Sequence, residues 1–206
     1  MLKFDQLYFL FDTETEGLNH KSSRPWEVSF VIGKGNYIVE KKQIYIDWPD
    51  LELSSKIKKL TGFDQSKYDR EKISPREAFE ILKKYLYNKK YMIVGQNIIG
   101  FDVYILAILS QLCGEPITDF SFMDRLLDTR CLSIAHKEGL EKPRNGDLLS
   151  WQYKLRNDRT LKAKASQGVM LKYFGIEHDP SKLHDGLYDS EKCWELFKCL
   201  RKALEL

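Results

Sequence analysis

The chain has 206 residues, the length of one domain with room for a sizeable core, and its 43% hydrophobic and 31% charged content exclude a disordered chain. A formal net charge of +3 neither demands nor excludes nucleic acid, so a local basic patch is the more informative feature. Cys113, Cys131, Cys193 and Cys199 form no C-x-x-C pair and no zinc spacing; they read as reduced and mostly packed, which fits a cytoplasmic protein.

Residues 7–11 (LYFLF) are apolar without a break and predict a strand buried on both faces. Asp5 before this run and Asp12 after it make it unlike a signal peptide, and the longest apolar run elsewhere, residues 103–109, is too short to span a bilayer. The strand ends in acids. Asp12 and Glu14 lie two apart and point to one side, while Thr13 points to the other. Two adjacent carboxylates repel and raise each other's pKa, a conflict that a hard divalent cation removes. The plainer reading is a strand that runs out into a solvated acidic loop.

Residues 19–25 are polar and turn-like. A second strand is expected over 27–32, a hairpin turn at 33–36 (GKGN), and a third, antiparallel strand over 37–48. Ser54 caps a short helix ending near Leu60, broken at 61–63. Ser74, with Pro75 at the first helical position and Glu77 at the third, starts a better one. Its apolar face is Ala78, Phe79, Ile81, Leu82, Tyr85 and Leu86. Residues 91–95 predict a fourth, buried strand, 96–100 a connection, and 101–113 a strongly apolar helix stopped by Gly114. A short fifth strand is expected at 121–123, and Asp128 as the cap of a helix over 129–137. Residues 139–159 read as irregular, polar and basic. Ser166 opens a helix to Phe174, ended by Gly175. A last helix runs from about 186 to 204, with Leu187, Trp194, Phe197, Leu200 and Leu204 on one stripe. Three antiparallel strands, then alternating helix and strand, then terminal helices predict one α/β layered domain over 1–206. Its sheet is mixed and five-stranded, with the first strand at the centre.

Asp102 falls in the first turn of an apolar helix, where an acid complements the helix dipole. His184 and Asp189 on one straight helix would stand roughly 140° apart. His184 is therefore expected in the loop before the last helix, Asp185 as its N-cap and Asp189 in its first turns. Alone, His184 reads as an exposed loop histidine. Together, Asp12, Glu14, Asp102 and Asp189 lie at element ends that open on one edge of an α/β sheet. Four acids around one point suit two divalent cations about 3.5–4 Å apart, the arrangement for in-line displacement at phosphorus.

In residues 11–18 (FDTETEGL), residues 94–102 (VGQNIIGFD) and the pair His184 and Asp189, the chain resembles the DEDDh (DnaQ-like) 3′–5′ exonucleases of the ribonuclease H-like superfamily. Residues 60–63 (LTGF) and Asp128 with Thr129 match weaker landmarks. The resemblance spans nearly the whole chain. It implies that Asp12, Glu14, Asp102 and Asp189 bind two Mg²⁺ or Mn²⁺ ions and that His184 is the general base. It implies hydrolysis of single-stranded nucleic acid from the 3′ end, DNA favoured and RNA possible, with release of nucleoside 5′-monophosphates. Thr15, Glu16, Gly17 and Leu18 would hold the terminal nucleotide. Leu18 and Leu60 would wedge against the last bases, and Asn97 and Phe101 would line the pocket. A DNA polymerase or a replication or repair assembly is the kind of partner the family implies. A catalytically weak or inactive module that binds nucleic acid or a polymerase is the alternative, and the intact acids and His184 argue against it.

Three departures stand out: Glu16 where a small hydroxyl residue is usual, adding negative charge beside the substrate end; Gln96 where many members have His; and Gly186 in place of Ala, expected to loosen the loop carrying His184. Between 137 and 164 eight basic residues (Lys137, Lys142, Arg144, Lys154, Arg156, Arg159, Lys162 and Lys164) outweigh four acids, with Trp151 and Tyr153 among them. Cations and aromatics together suit a single strand, but a solvated loop with two tucked aromatics has the same composition.

Overall fold

The axis of the fold is β1 (Leu7–Thr15), which pairs antiparallel with β2 (Pro25–Lys34) and parallel with β4 (Tyr91–Gly95). The edges are β3 (Tyr37–Tyr45) and β5 (Leu126–Asp128), giving the order β3-β2-β1-β4-β5, a mixed sheet with β1 at its centre as expected. The computed structural model describes residues 5–19, 21–143 and 147–206. Arg144 of the basic stretch lies outside them.

Alternation along β1 feeds two cores. Phe9 and Phe11, with Phe30 and Ile32 of β2, pack against α3 (Pro75–Leu86) and α4 (Asp102–Leu112). Tyr8 and Leu10, with Val31 and Val94, pack against α5 (Thr129–Glu138), α7 (Gln167–Tyr173) and α8 (Gly186–Ala203). All four β1 residues are fully or almost fully buried, each contributing about 1.5–3 kcal/mol by area. α8 crosses β2 closely because Gly33 has no side chain: a Cβ there would lie 2.5 Å from the buried Trp194 ring. Gly33→Ala is expected to destabilise by about 1–3 kcal/mol through this overpacking. Urea unfolding measures it, and an unchanged midpoint would show that α8 can shift freely.

Local punctuation matches the sequence. Ser54 caps α1 (Ser55–Thr61), Ser74 caps α3 and Asp128 caps α5, each side chain accepting backbone N–H bonds. The hairpin turns at Gly35, φ 60°, between Lys34 and Tyr37. The four cysteines are free, two buried and two half-buried. Among the described residues no helix is long and apolar enough to cross a membrane.

Four expectations are corrected. β1 runs on through the acids to Thr15 because β2 continues to pair with it, Asp12 opposite Ser29 and Glu14 opposite Glu27. β3 ends at Tyr45, and Ile46 leaves the sheet to bridge Ile73. Residues 121–123 belong to a 3₁₀ turn (Ser121–Arg125), and the fifth strand is the next three residues. The stretch read as irregular contains α6 (Leu148–Asn157), capped by Asp147. It buries only Gln152 and Leu155, too thin a stripe to show as periodicity. Gln152 nevertheless completes the edge of the sheet, accepting from Asp128 N at 2.6 Å and donating to Leu126 O at 3.0 Å. A further helix, α2 (Gln65–Glu71), buries only Tyr68 and gave no signal either.

Candidate active site

The pairing of β1 with β4 stops at Leu10 and Val94, so the last residues of β1 overhang. A crevice opens there, at the carboxyl ends of the parallel strands, where open α/β sheets hold ligands. Asp12 and Glu14 sit on the overhang on the side of α8. Asp102 arrives from the opposite layer, in the first turn of α4. It is 2% exposed, and its Oδ1 accepts from Thr13 N at 3.1 Å and Thr13 Oγ1 at 2.7 Å. Thr13, pointing away from its acidic neighbours, is what ties α4 to β1. Asp189 lies in the first turn of α8. Its Oδ2 accepts from His184 N at 2.8 Å, and its Oδ1 from Gln167 Nε2 at 3.1 Å. His184 is exposed in the loop before α8, with Asp185 as the N-cap, as the sequence indicated. Its φ of 77° lies in the left-handed region, which His tolerates better than most residues. The resulting turn aims the His184 backbone N–H at Asp189.

A cleft of about 770 Å³ collects these groups: the four acids, His184, Asn97 and Phe101, with residues 163–169 as the facing wall. Burial is the main force raising the Asp12 carboxyl, followed by the charges of Asp102, Glu14, Asp189 and Glu27. Glu14 is pushed up to about 9, by burial first and then by Glu27, Asp189 and Asp102. Asp102 is pushed up to about 7 by burial, partly offset by the Thr13 hydrogen bonds. Asp189 is also raised by burial, against the pull of the His184 N–H. No lysine or arginine is among the strongest influences on any of the four. All-oxygen donors, desolvated and without a cationic partner, are the set a hard divalent cation takes. Among the described residues no three His, Cys, Asp or Glu side chains already surround one metal-sized point. The donor chemistry fits a metal; the side chains would have to close on it, against their mutual repulsion.

Five other expected residues do not line this cleft: Thr15, Glu16, Gly17, Leu18 and Leu60. Thr15 is buried past a register shift in β1, its hydroxyl donating to Gly17 O. Leu18 and Leu60 stand 84% and 51% exposed, large apolar side chains left in water. Glu16 does not present free negative charge. It forms a two-armed ion pair with Arg24, Nε to Oε2 at 2.8 Å and Nη2 to Oε1 at 2.5 Å, and Arg24 also holds Asp50. Gln96 links two walls of the cleft, donating to Ala165 O and accepting from Thr129 Oγ1. Gly186 is not a loosening residue. It is the first residue of α8, and a Cβ there would lie 2.7 Å from Glu27 Oε1 and 3.2 Å from Ser29 Cβ. Its bareness lets the helix approach β2.

Glu27, Gln167 and Arg130 carry no sequence signal that would place them at this site. Glu27 is buried beside Glu14, held by Ser29 Oγ at 2.6 Å. Only the β1–β2 register, not any motif, could have placed it there.

Sheet order, acids on the overhanging central strand and helices on both faces define an α/β domain with a mixed five-stranded sheet and an acidic cleft at its edge. Within that class the chain belongs to the RNase_T exonuclease family, whose model matches residues 9–197. No curated protein sequence matches the chain. Among solved structures, the zinc-bound form of the E. coli ExoI complex with single-stranded DNA is similar at TM-score 0.72 and 16% identity. That match covers 96% of this chain and 41% of the other. E. coli exonuclease I with a dA16 oligonucleotide gives 0.74 and 15%, covering 97% and 42%. A product-bound exonuclease I gives 0.72 and 15%, covering 98% and 44%. The chain thus spans less than half the length of these structures, and at such identities they establish the fold.

Proposed function

We propose that residues 1–206 act as a single 3′–5′ exonuclease domain that hydrolyses single-stranded nucleic acid from its 3′ end, DNA in preference to RNA, releasing nucleoside 5′-monophosphates. The observation that carries this is the convergence of four desolvated carboxylates, from β1, α4 and α8, on one cleft of a chain in an exonuclease family. That similar structures are exonuclease I bound to single-stranded DNA or an oligo-dA strand favours DNA. Asp12, Glu14, Asp102 and Asp189 would hold two divalent cations, Mg²⁺ or Mn²⁺. When bound, these supply charge neutralisation for displacement at phosphorus and make water more acidic. Thr13 fixes the Asp102 carboxylate and Gln167 fixes that of Asp189, so both acids are held in position. The His184 imidazole, exposed at the cleft, takes the proton of the attacking water. Leu18 and Leu60 offer apolar surface to the terminal bases. Thr15, Glu16 and Gly17 hold the end nucleotide through their backbone, and Asn97 and Phe101 line its pocket. Work in the cytoplasm, beside a DNA polymerase or in a replication or repair assembly, belongs to the same reading. A 5′-labelled oligonucleotide tests it: a ladder shortening by single nucleotides with Mg²⁺ or Mn²⁺ and stopping in EDTA is expected. Internal cuts, or undiminished digestion in excess EDTA, would overturn it.

The same carboxylates make stability depend on pH. Glu14 and Asp102 are raised to about 9 and about 7 from their ordinary values of 4.5 and 3.8, so near neutrality the folded protein holds protons the unfolded chain has released. Their contribution to stability is complete below about pH 4 and is lost as pH rises through 7 and then 9. In EDTA the melting temperature should therefore fall across this window, and Glu14→Gln should flatten the fall. A divalent cation, bound by the ionised form, should raise it more at about pH 8 than at about pH 5, by mass action. Thermal melts with and without Mn²⁺ at the two pH values are the measurement; equal shifts would place the ion away from these acids.

A further inference from the structure

Two arginines outside the acidic group meet at Asn97. The Asn97 backbone is held in the left-handed region, φ 61°, by its N–H bond to Asp128 Oδ1 at 3.0 Å. Its side-chain Oδ1 accepts from Arg156 Nη1 at 2.5 Å and from Arg130 Nη1 at 3.2 Å. Arg130 comes from the first turn of α5 and Arg156 from the last turn of α6. Arg156 lies directly over Gly100, where a Cβ would overlap its guanidinium carbon and both terminal nitrogens. A glycine here leaves the space that the guanidinium occupies.

No carboxylate neutralises the pair. Asp128, bonded to the Asn97 backbone, is fully buried and spends its oxygens on the backbone N–H groups of Asn97, Ile99, Arg130 and Cys131. Neither arginine forms an ion pair among the described residues. Two guanidiniums sharing one neutral oxygen repel, and each keeps further N–H donors in a planar fork. An anion with several oxygens satisfies both, and phosphate matches that fork. Arg130 and Asn97 line the same cleft as the four acids, which by themselves would repel a polyanionic strand.

We propose that Arg130 and Arg156 form a phosphate clamp for an internal phosphodiester of the bound strand, on the 5′ side of the linkage that is cut. The inference rests on the exonuclease reading for the direction of the strand. It means that a dinucleotide, whose one linkage lies at the acids, cannot reach the clamp unless it carries a 5′-phosphate.

The test is fluorescence anisotropy in EDTA, where the strand stays intact, with 5′-labelled oligonucleotides bearing one neutral methylphosphonate at successive linkages. In the wild type, one internal position should weaken binding about tenfold, the loss of a charge-assisted contact. Arg130→Gln and Arg156→Gln should weaken binding of the all-phosphate strand by a similar factor and lower the log–log salt slope by about 0.7. Each should respond less to that methylphosphonate, and the double variant should not respond. Arg156→Lys, which keeps the charge and loses the fork, should fall between. Gly100→Ala, folded by circular dichroism, should behave as Arg156→Gln. Gln variants that bind the all-phosphate strand like the wild type, or keep its response at every linkage, overturn the clamp. So does a wild type that binds no strand in EDTA, because the clamp needs no metal. A response confined to a 5′-terminal phosphate, probed with unlabelled competitor strands with and without that group, would overturn its assignment to an internal linkage. Failure of the wild type to digest any strand with Mg²⁺ or Mn²⁺ would instead sink the exonuclease reading, so the two failures are separate.

Discussion

Asp12→Ala is expected to lower turnover by at least about 10³-fold, the upper scale for losing one preorganised electrostatic group, without unfolding the protein. Asp12 is placed by the central strand of the sheet, whose preceding residues Tyr8 to Phe11 are buried on both faces, so its neighbours stay put when the side chain is cut back. The Asp102, Glu14, Asp189 and Glu27 charges all raise its carboxyl, so removing it relieves repulsion. In EDTA the variant should melt no lower than the wild type. Asp102→Ala should lose activity equally yet melt lower. It leaves Thr13 N–H and Oγ1 without their acceptor in a buried site, at a cost of about 1–3 kcal/mol for an unsatisfied group. Single-turnover digestion and melts of the two variants decide the matter. Turnover of Asp12→Ala within tenfold of the wild type would take Asp12 out of the chemistry.

These contrasts separate what was legible in the sequence from what was not. Asp12 and Glu14 could be read because a strand and its side-chain alternation are local facts. So could the caps at Ser54, Ser74 and Asp128, where a side chain bonds its own backbone within three residues. The offset between His184 and Asp189 was legible for the same reason: a straight helix cannot make both converge, and His184 lies in the loop before α8 while Asp189 lies in its first turn. Long-range partners were invisible. Glu16 looked like added charge until the turn brought Arg24 back across from it. Gly186 looked like slack until α8 was laid on Glu27 and Ser29. The arginine pair depends on α6, whose buried face is one leucine and one glutamine. Hydrophobic periodicity had almost nothing to register there, although Gln152 fixes that helix to β5 and so sets where Arg156 reaches.

His184 separates proton transfer from binding. Its contact to Asp189 runs through the backbone N–H, so a changed side chain leaves that bond in place if the new residue tolerates a φ of 77°. Alanine there carries the left-handed penalty of about 1–2 kcal/mol, whereas asparagine visits the region routinely. His184→Asn is therefore the cleaner variant. It should lose about 10²–10⁴-fold in the chemical step, the usual share of a positioned general base. Strand affinity and the metal-induced rise in melting temperature should stay within twofold and a degree or two of the wild type. His184→Ala then serves as a control for strain: the same lost chemistry, with a lower melting temperature. If His184→Asn turns over normally, or loses metal binding together with activity, the proton goes to another group and His184 is a loop residue that merely positions Asp189.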